Sequence, residues 1–209
     1  MARKLDEPQA RGDFFKSLGT LFAGFVAQRI EDAVTGLGPS LLRPPGALDE
    51  LAFLTQCTRC DKCMRACPEN AIFKAGPSAG LALGTPYIEP RSVPCYLCAS
   101  LPCVAACEDA ALLWPRLLEK EGPAAVRMGT ARVKPDLCAT WGTLEREPAP
   151  CQVCADRCPY PGEALRMEPD AEGGFPHPVV DAAFCTGCGQ CVFACPVEPV
   201  AITVKPGRD

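Results

Sequence analysis

The sequence predicts an α+β protein assembled from four short repeated units, and three observations lead there. Sixteen Cys among 209 residues fall into four local groups of four. Two groups share one spacing, C-x2-C-x2-C-x3-C-P: Cys57, Cys60, Cys63 and Cys67 before Pro68, and Cys185, Cys188, Cys191 and Cys195 before Pro196. Short apolar and β-branched runs bracket the groups, so each unit reads as strand, Cys loop, helical turn, strand. With 23 Pro and 18 Gly, but two Trp, three Tyr and four Met, the chain favours loops and has few large side chains to fill an interior.

Inorganic cofactors would fill it. The compact spacing is the one that wraps a [4Fe–4S] cluster, because three thiolates two residues apart converge from one tight loop and a fourth reaches across to a second cluster. One such run therefore predicts a second. Four groups of four fit four iron sites of tetrahedral sulfur ligation. A disulfide framework suits short secreted chains, and so many thiols in adjacent loops would offer many wrong pairings. Zinc ribbons use two C-x2-C pairs across a long spacer, without the third Cys and the Cys-Pro.

The formal charge of −4 counts every Cys as neutral. Each cubane with its four thiolates carries about −2, so four would take the protein to roughly −12. That excludes nucleic acid as a partner, since phosphate contacts need a basic face. It also predicts many backbone N–H groups aimed at sulfur, because buried negative charge must be hydrogen-bonded.

In order, residues 1–47 read as an N-terminal helix and a linker, and 48–209 as the Cys-rich domain, with units at 48–75, 86–114, 130–167 and 177–205. From Asp13 to Val34 the apolar residues Phe14, Phe15, Leu18, Leu21, Phe22, Phe25, Val26, Ile30 and Val34 recur at three- and four-residue steps, which reads as the apolar face of an amphipathic helix. The apolar run is too short to span a membrane. Gly36 to Gly46 reads as linker, Leu48 to Leu54 as a short helix, Asn70 to Phe73 as a strand and Gly76 to Gly84 as a flexible stretch.

The second unit opens with the strand-like Tyr87-Ile88-Glu89-Pro90 and holds Cys95, Cys98, Cys103 and Cys107. Its middle loop is longer, and Glu108 stands where Pro would follow the last Cys. The third follows Ala131 to Lys134 and holds Cys138, Cys151, Cys154 and Cys158, with twelve residues inserted after the first. Such insertions are tolerated because closure entropy grows slowly with loop length. The fourth opens at His177 to Asp181 and closes with a strand from Val200 to Val204. Trp141, inside the third unit's insertion, reads as loop packing, with shielding of a cluster from water as the alternative, and His177, the only histidine, lies outside every Cys group and reads as a structural or surface residue. No catalytic triad, phosphate-binding glycine loop or flavin motif is present.

Pro86-Tyr87-Ile88-Glu89-Pro90-Arg91 before Cys95-Tyr96-Leu97-Cys98, the Cys138 to Cys158 group, and Cys185-Thr186-Gly187-Cys188-Gly189-Gln190-Cys191 resemble the NapG/MauM type of four-cluster ferredoxin. The likeness runs from about Leu48 to Val204. It implies two ferredoxin-like lobes, four [4Fe–4S] clusters bound by all sixteen Cys, and electron transfer between redox partners. Those implied are a membrane quinol-oxidising subunit and a molybdenum or other oxidoreductase. A maturation factor with accessory clusters is the competing class. The resemblance further implies a nested pairing, the outer two units forming one lobe and the inner two the other. Cys57, Cys60 and Cys63 would then share a cluster with Cys195, Cys185, Cys188 and Cys191 with Cys67, Cys95, Cys98 and Cys103 with Cys158, and Cys138, Cys151 and Cys154 with Cys107. Sequential pairing, first with second and third with fourth, is the alternative.

Members of the family usually carry a twin-arginine export signal. Here the corresponding residues are Arg11-Gly12-Asp13-Phe14-Phe15-Lys16, without the second arginine, and Arg29, Glu31 and Asp32 cut the apolar region short. The expectation is an uncleaved N-terminus and a cytoplasmic protein, held by a partner at the inner face of the membrane, with periplasmic export as the alternative.

Overall fold

A computed structural model of the chain describes residues 40–114, 122–142 and 147–207. The predicted N-terminal helix lies outside them. The described chain is mixed α and β, built from helices of one or two turns and strands of three to five residues.

The first half holds α1 (Glu50–Gln56), α2 (Lys62–Ala66), β1 (Ile72–Lys74), β2 (Pro86–Ile88) and α3 (Pro102–Ala105). β1 and β2 pair antiparallel from Ile72 opposite Ile88 to Lys74 opposite Pro86. A second antiparallel contact, the bridge between Ala47 and Leu112, closes the outer ends. Leu113 N–H donates to Gly46 O at 2.7 Å beside it.

The second half repeats this order with fuller strands: β3 (Gly129–Val133), α4 (Val153–Asp156), β4 (Leu165–Glu168), β5 (His177–Val180), α5 (Gln190–Ala194) and β6 (Ile202–Pro206). β4 and β5 form the inner hairpin and β3 pairs with β6 on the outside. α2 packs on α3, and α4 on α5. Each half is therefore made of two consecutive Cys units. The nested pairing is corrected here: strands joined by short connections, Lys74 to Pro86 and Glu168 to His177, pair at little closure cost. The shared compact spacing of the first and last units concerns ligand loops, which do not set strand register.

Two expectations about loops also change. Arg43, Pro44 and Pro45 are buried rather than part of a linker, and Leu42 bridges to Ile88. Arg43 donates to Glu50, Thr85 Oγ1 and Pro86 O, and stacks 4.7 Å over Phe53, which is fully buried. The segment expected to be flexible carries a 3₁₀ turn, Pro77–Ala82, whose Ala79 and Ala82 are buried.

The core is thin, and cysteines stand in it beside aliphatic side chains. Around Phe53, Ile88 and Val126 it includes Cys95, Cys103 and Cys188. Around Leu165, Val192 and Ile202 it includes Cys138, Cys185, Cys191 and Cys195.

Candidate metal centres

Each Cys loop is shaped by backbone that most residues avoid. Asp61, Leu101 and Gly189, each two residues before the third Cys of its group, are left-handed (φ 61°, 36° and 82°) and start α2, α3 and α5. Arg59, Leu97 and Gly187, immediately before the second Cys, are left-handed as well. Left-handed residues set among ordinary ones turn successive N–H groups to one side, forming a concavity that favours anions. The third group is built differently, as its long insertion predicts. Gln152, two before Cys154, keeps a negative φ of −134°.

The sixteen Cys are all free thiols and line four hollows. Cys57, Cys60 and Cys63 share the first with Cys107. Cys95, Cys98 and Cys103 share the second with Cys67. Cys185, Cys188 and Cys191 face Cys158, and Cys138, Cys151 and Cys154 face Cys195. Every hollow thus takes three cysteines from one unit and the last cysteine of its neighbour in sequence, the alternative pairing. Cys107, which lacks a following Pro, still reaches its place. The Leu112 N–H donates to its Sγ at 3.3 Å, and the neighbouring Glu108 pairs with Lys62 across the mouth.

Thiols spread around such hollows suit a many-atom group better than a single ion. Among the described residues no three His, Cys, Asp or Glu side chains gather closely enough for one metal ion. The donors are sulfur throughout and the remaining walls are mostly apolar, Ile72, Ile88 and Leu101 at one hollow and Val133, Val197 and Ile202 at another. Backbone N–H groups also point at sulfur, as buried negative charge demands. Ala71 donates to Cys67 and Ala131 to Cys185, both at 3.4 Å. The residues fit [4Fe–4S] clusters.

Electrostatics agree. Burial pushes the thiols of Cys63, Cys95 and Cys154 up to about 12 and Cys103 up to about 11, with neighbouring cysteines adding to the shift. Cys191 is raised well above its ordinary value by the same burial. Bare thiolates are thus disfavoured, and iron that shares their charge must displace protons to bind.

Sequence reasoning missed the residues that join the halves. Cys95 N–H donates to Cys188 O at 2.9 Å, and Gln190 Nε2 donates back to Cys95 O at 3.2 Å. Arg91 donates to Val192 O, Phe193 O and Cys195 O at the end of α5 and pairs with Glu198. Arg91 stood within the quoted resemblance, but no local pattern announces a contact a hundred residues away.

An α+β chain with repeated Cys loops around sulfur-lined hollows is an iron–sulfur protein of the ferredoxin type. Residues 149–198 match the 4Fe-4S dicluster domain and residues 54–73 the 4Fe-4S binding domain. The methylamine utilization ferredoxin-type protein MauM of Paracoccus denitrificans is 34% identical over 209 residues, 98% of this chain and 89% of that protein. The ferredoxin-type protein NapG of Escherichia coli is 36% identical over 200 residues, 93% and 83% of the two chains. NapF of the same organism is 32% identical over 159 residues, 76% and 82%. No solved structure matches. The chain belongs to the NapG/MauM family of ferredoxin-type proteins, and its work is iron–sulfur electron transfer.

Proposed function

We propose that the chain holds four [4Fe–4S] clusters in series and relays single electrons between two redox partners. The observation that carries this is the set of four hollows, each lined by four cysteines. When bound, the clusters supply one-electron oxidation and reduction, at potentials that hydrogen bonds to sulfur and burial set within about −700 to +450 mV. The protein makes no covalent bond to a substrate.

The order proposed for the series is supported by the backbone connections between hollows. α2 carries Cys63 of the first hollow and ends at Cys67 of the second, while α3 carries Cys103 of the second and leads to Cys107 of the first. The Cys95 to Cys188 hydrogen bond leads from the second hollow to that of Cys158, and α5, between Cys191 and Cys195, leads on to that of Cys138. Cys60 is the exposed cysteine of the sixteen, which makes the Cys57 end the point where a partner exchanges electrons. The donors proposed are a membrane quinol-oxidising subunit, and the acceptors a molybdenum or other oxidoreductase.

Among the described residues no helix is long and apolar enough to cross a membrane. The proposed site of action is the cytoplasmic side, at the membrane's inner face with a partner. It rests on Gly12 in place of a second arginine and on the charges at Arg29, Glu31 and Asp32. Fractionation and N-terminal sequencing test it: a periplasmic product that begins beyond about residue 30 contradicts it. For the relay, the test is anaerobic mixing with a reduced quinol-linked partner while cluster absorbance is followed. Stoichiometric reduction, then reoxidation by the acceptor, is expected, and clusters that never change oxidation state during partner turnover contradict the relay.

A further inference from the structure

Four side chains other than the cysteines meet beside the Cys138 hollow. Thr140 is buried, at 2% exposure, and its Oγ1 stands 3.4 Å from Cys138 Sγ and 3.2 Å from His177 Nδ1. The imidazole is fixed from two further sides. Its Nε2 lies 3.3 Å from Asp170 Oδ1, and the Trp141 ring stacks on its face, centroids 3.9 Å apart and planes 10° from parallel. Asp170 is itself anchored by the Gly174 N–H, which donates to Oδ2 at 2.8 Å. The other charged groups on the elements that carry Asp170 and pair with His177 are Glu172 in the turn with Asp170, Glu168 opposite His177 in the β4–β5 register, and Arg166, which pairs with Glu168. β3, which packs on β5, carries Arg132, with Lys134 just beyond it.

The threonine hydroxyl has one proton, and that decides the arrangement. When His177 is neutral, Nε2–H donates to Asp170 and Nδ1 is an acceptor, so Thr140 donates its proton to Nδ1. Cys138 Sγ then receives nothing from the hydroxyl. When His177 is protonated, Nδ1–H donates to Thr140 Oγ1 and the hydroxyl proton turns onto Cys138 Sγ. A hydrogen bond to a ligating sulfur stabilises the more negative, reduced state and so raises the reduction potential.

We propose that His177 and Thr140 form a proton-operated switch on the cluster site of Cys138, Cys151, Cys154 and Cys195. One electron arriving at that site from a one-electron donor is accompanied by one proton from solvent, bound at His177 Nδ1; no covalent bond to carbon or sulfur forms or breaks. His177 and Thr140 are positioning residues that act through Cys138. Their effect makes this end of the series a sink for electrons at low pH. The inference rests on the four-cluster reading above.

The test is a redox titration of the fully loaded chain, followed by electron paramagnetic resonance, at several pH values between about 5 and 8, where histidines change charge. In the unaltered protein one cluster potential falls as pH rises while the others stay level. His177→Gln makes it level, Thr140→Val makes it level and lower, and Thr140→Ser, which keeps the hydroxyl, restores the slope. Iron and sulfide counts on the same samples separate two failures. A shortfall of a whole cluster in the unaltered protein refutes the four-cluster reading, whereas a full complement with level potentials refutes the switch alone. A slope that survives His177→Gln also overturns it. That variant leaves Thr140 in place, so it decides the matter even if Thr140→Val fails to load.

Discussion

The cysteines need particular backbone beside them, and the loops obtain it at different cost. Gly187 and Gly189 adopt left-handed φ freely, whereas Arg59, Asp61, Leu97 and Leu101 hold the same region as side-chain-bearing residues, each at about 1–3 kcal/mol. Close approach adds a second demand at Gly187, where a Cβ would lie 2.5 Å from the backbone N and O of Gly129. Gly187→Ala is therefore expected to separate β3 from the Cys185 loop and destabilise the loaded protein by about 2 kcal/mol or more. Gly76→Ala, where a Cβ meets nothing within 4 Å, should leave the melting temperature nearly unchanged. The two glycines of the compact motif can be read from sequence as turn residues. The left-handed leucines cannot, since only ligand convergence in the folded loop places them there.

Protons and iron also compete at single sulfurs. Burial holds free Cys63, Cys95 and Cys154 thiols up to about 12, so a sulfur that loses iron is reprotonated at any lower pH. Release takes up protons, and falling pH drives it forward. Extraction by a chelator, followed by loss of cluster absorbance, should be faster and more complete at pH 6 than at pH 9. Extraction favoured at the higher pH would contradict this.

Among the elements, pairing is the decisive feature. Strand content was legible because Ile72, Tyr87 to Ile88, Ala131 to Val133, His177 to Val180 and Ile202 to Val204 carry the apolar pattern and border each Cys group. Partner choice was not legible, because similar ligand spacing says nothing about which hairpin closes first. A chain in which Cys57, Cys60 and Cys63 are all changed to Ser loses one site. Adding Cys107→Ser to it should cost no further iron, whereas adding Cys195→Ser should disable the Cys138 site. The nested arrangement requires the reverse, and iron analysis of the two chains distinguishes them.

The buried Arg43 belongs to the same scale, because it fastens the strand region at Leu42 to α1 and β2. Arg43→Met leaves Glu50 and Thr85 without that partner. A loss of about 3 kcal/mol is expected, read from denaturation of the loaded protein.

At the scale of the molecule, side-chain core is small, and the two halves meet through one apolar cluster that joins Phe53 and Ile88 to Val126 and Cys188 and through polar contacts beside it. Arg91 reaches from the Cys95 loop to three carbonyls at the end of α5, and a Cβ on Gly189 would lie 2.5 Å from Pro90 Cβ. The sequence announced how many thiols there are and how they group, and from that the need for cofactors in place of large side chains. It was silent on the joint, which depends on residues about a hundred positions apart. Arg91→Ala should weaken magnetic coupling between the reduced clusters on either side while leaving iron content unchanged. Coupling identical to that of the unaltered protein would show that Arg91 does not set their approach.

Everything proposed for the relay depends on all four hollows being filled alike. Anaerobic purification followed by iron and acid-labile sulfide analysis, with Mössbauer spectroscopy on the same sample, tests that most directly. The account predicts about 16 iron and 16 sulfide per chain, all in cubane clusters; half that iron, or zinc in its place, would contradict it.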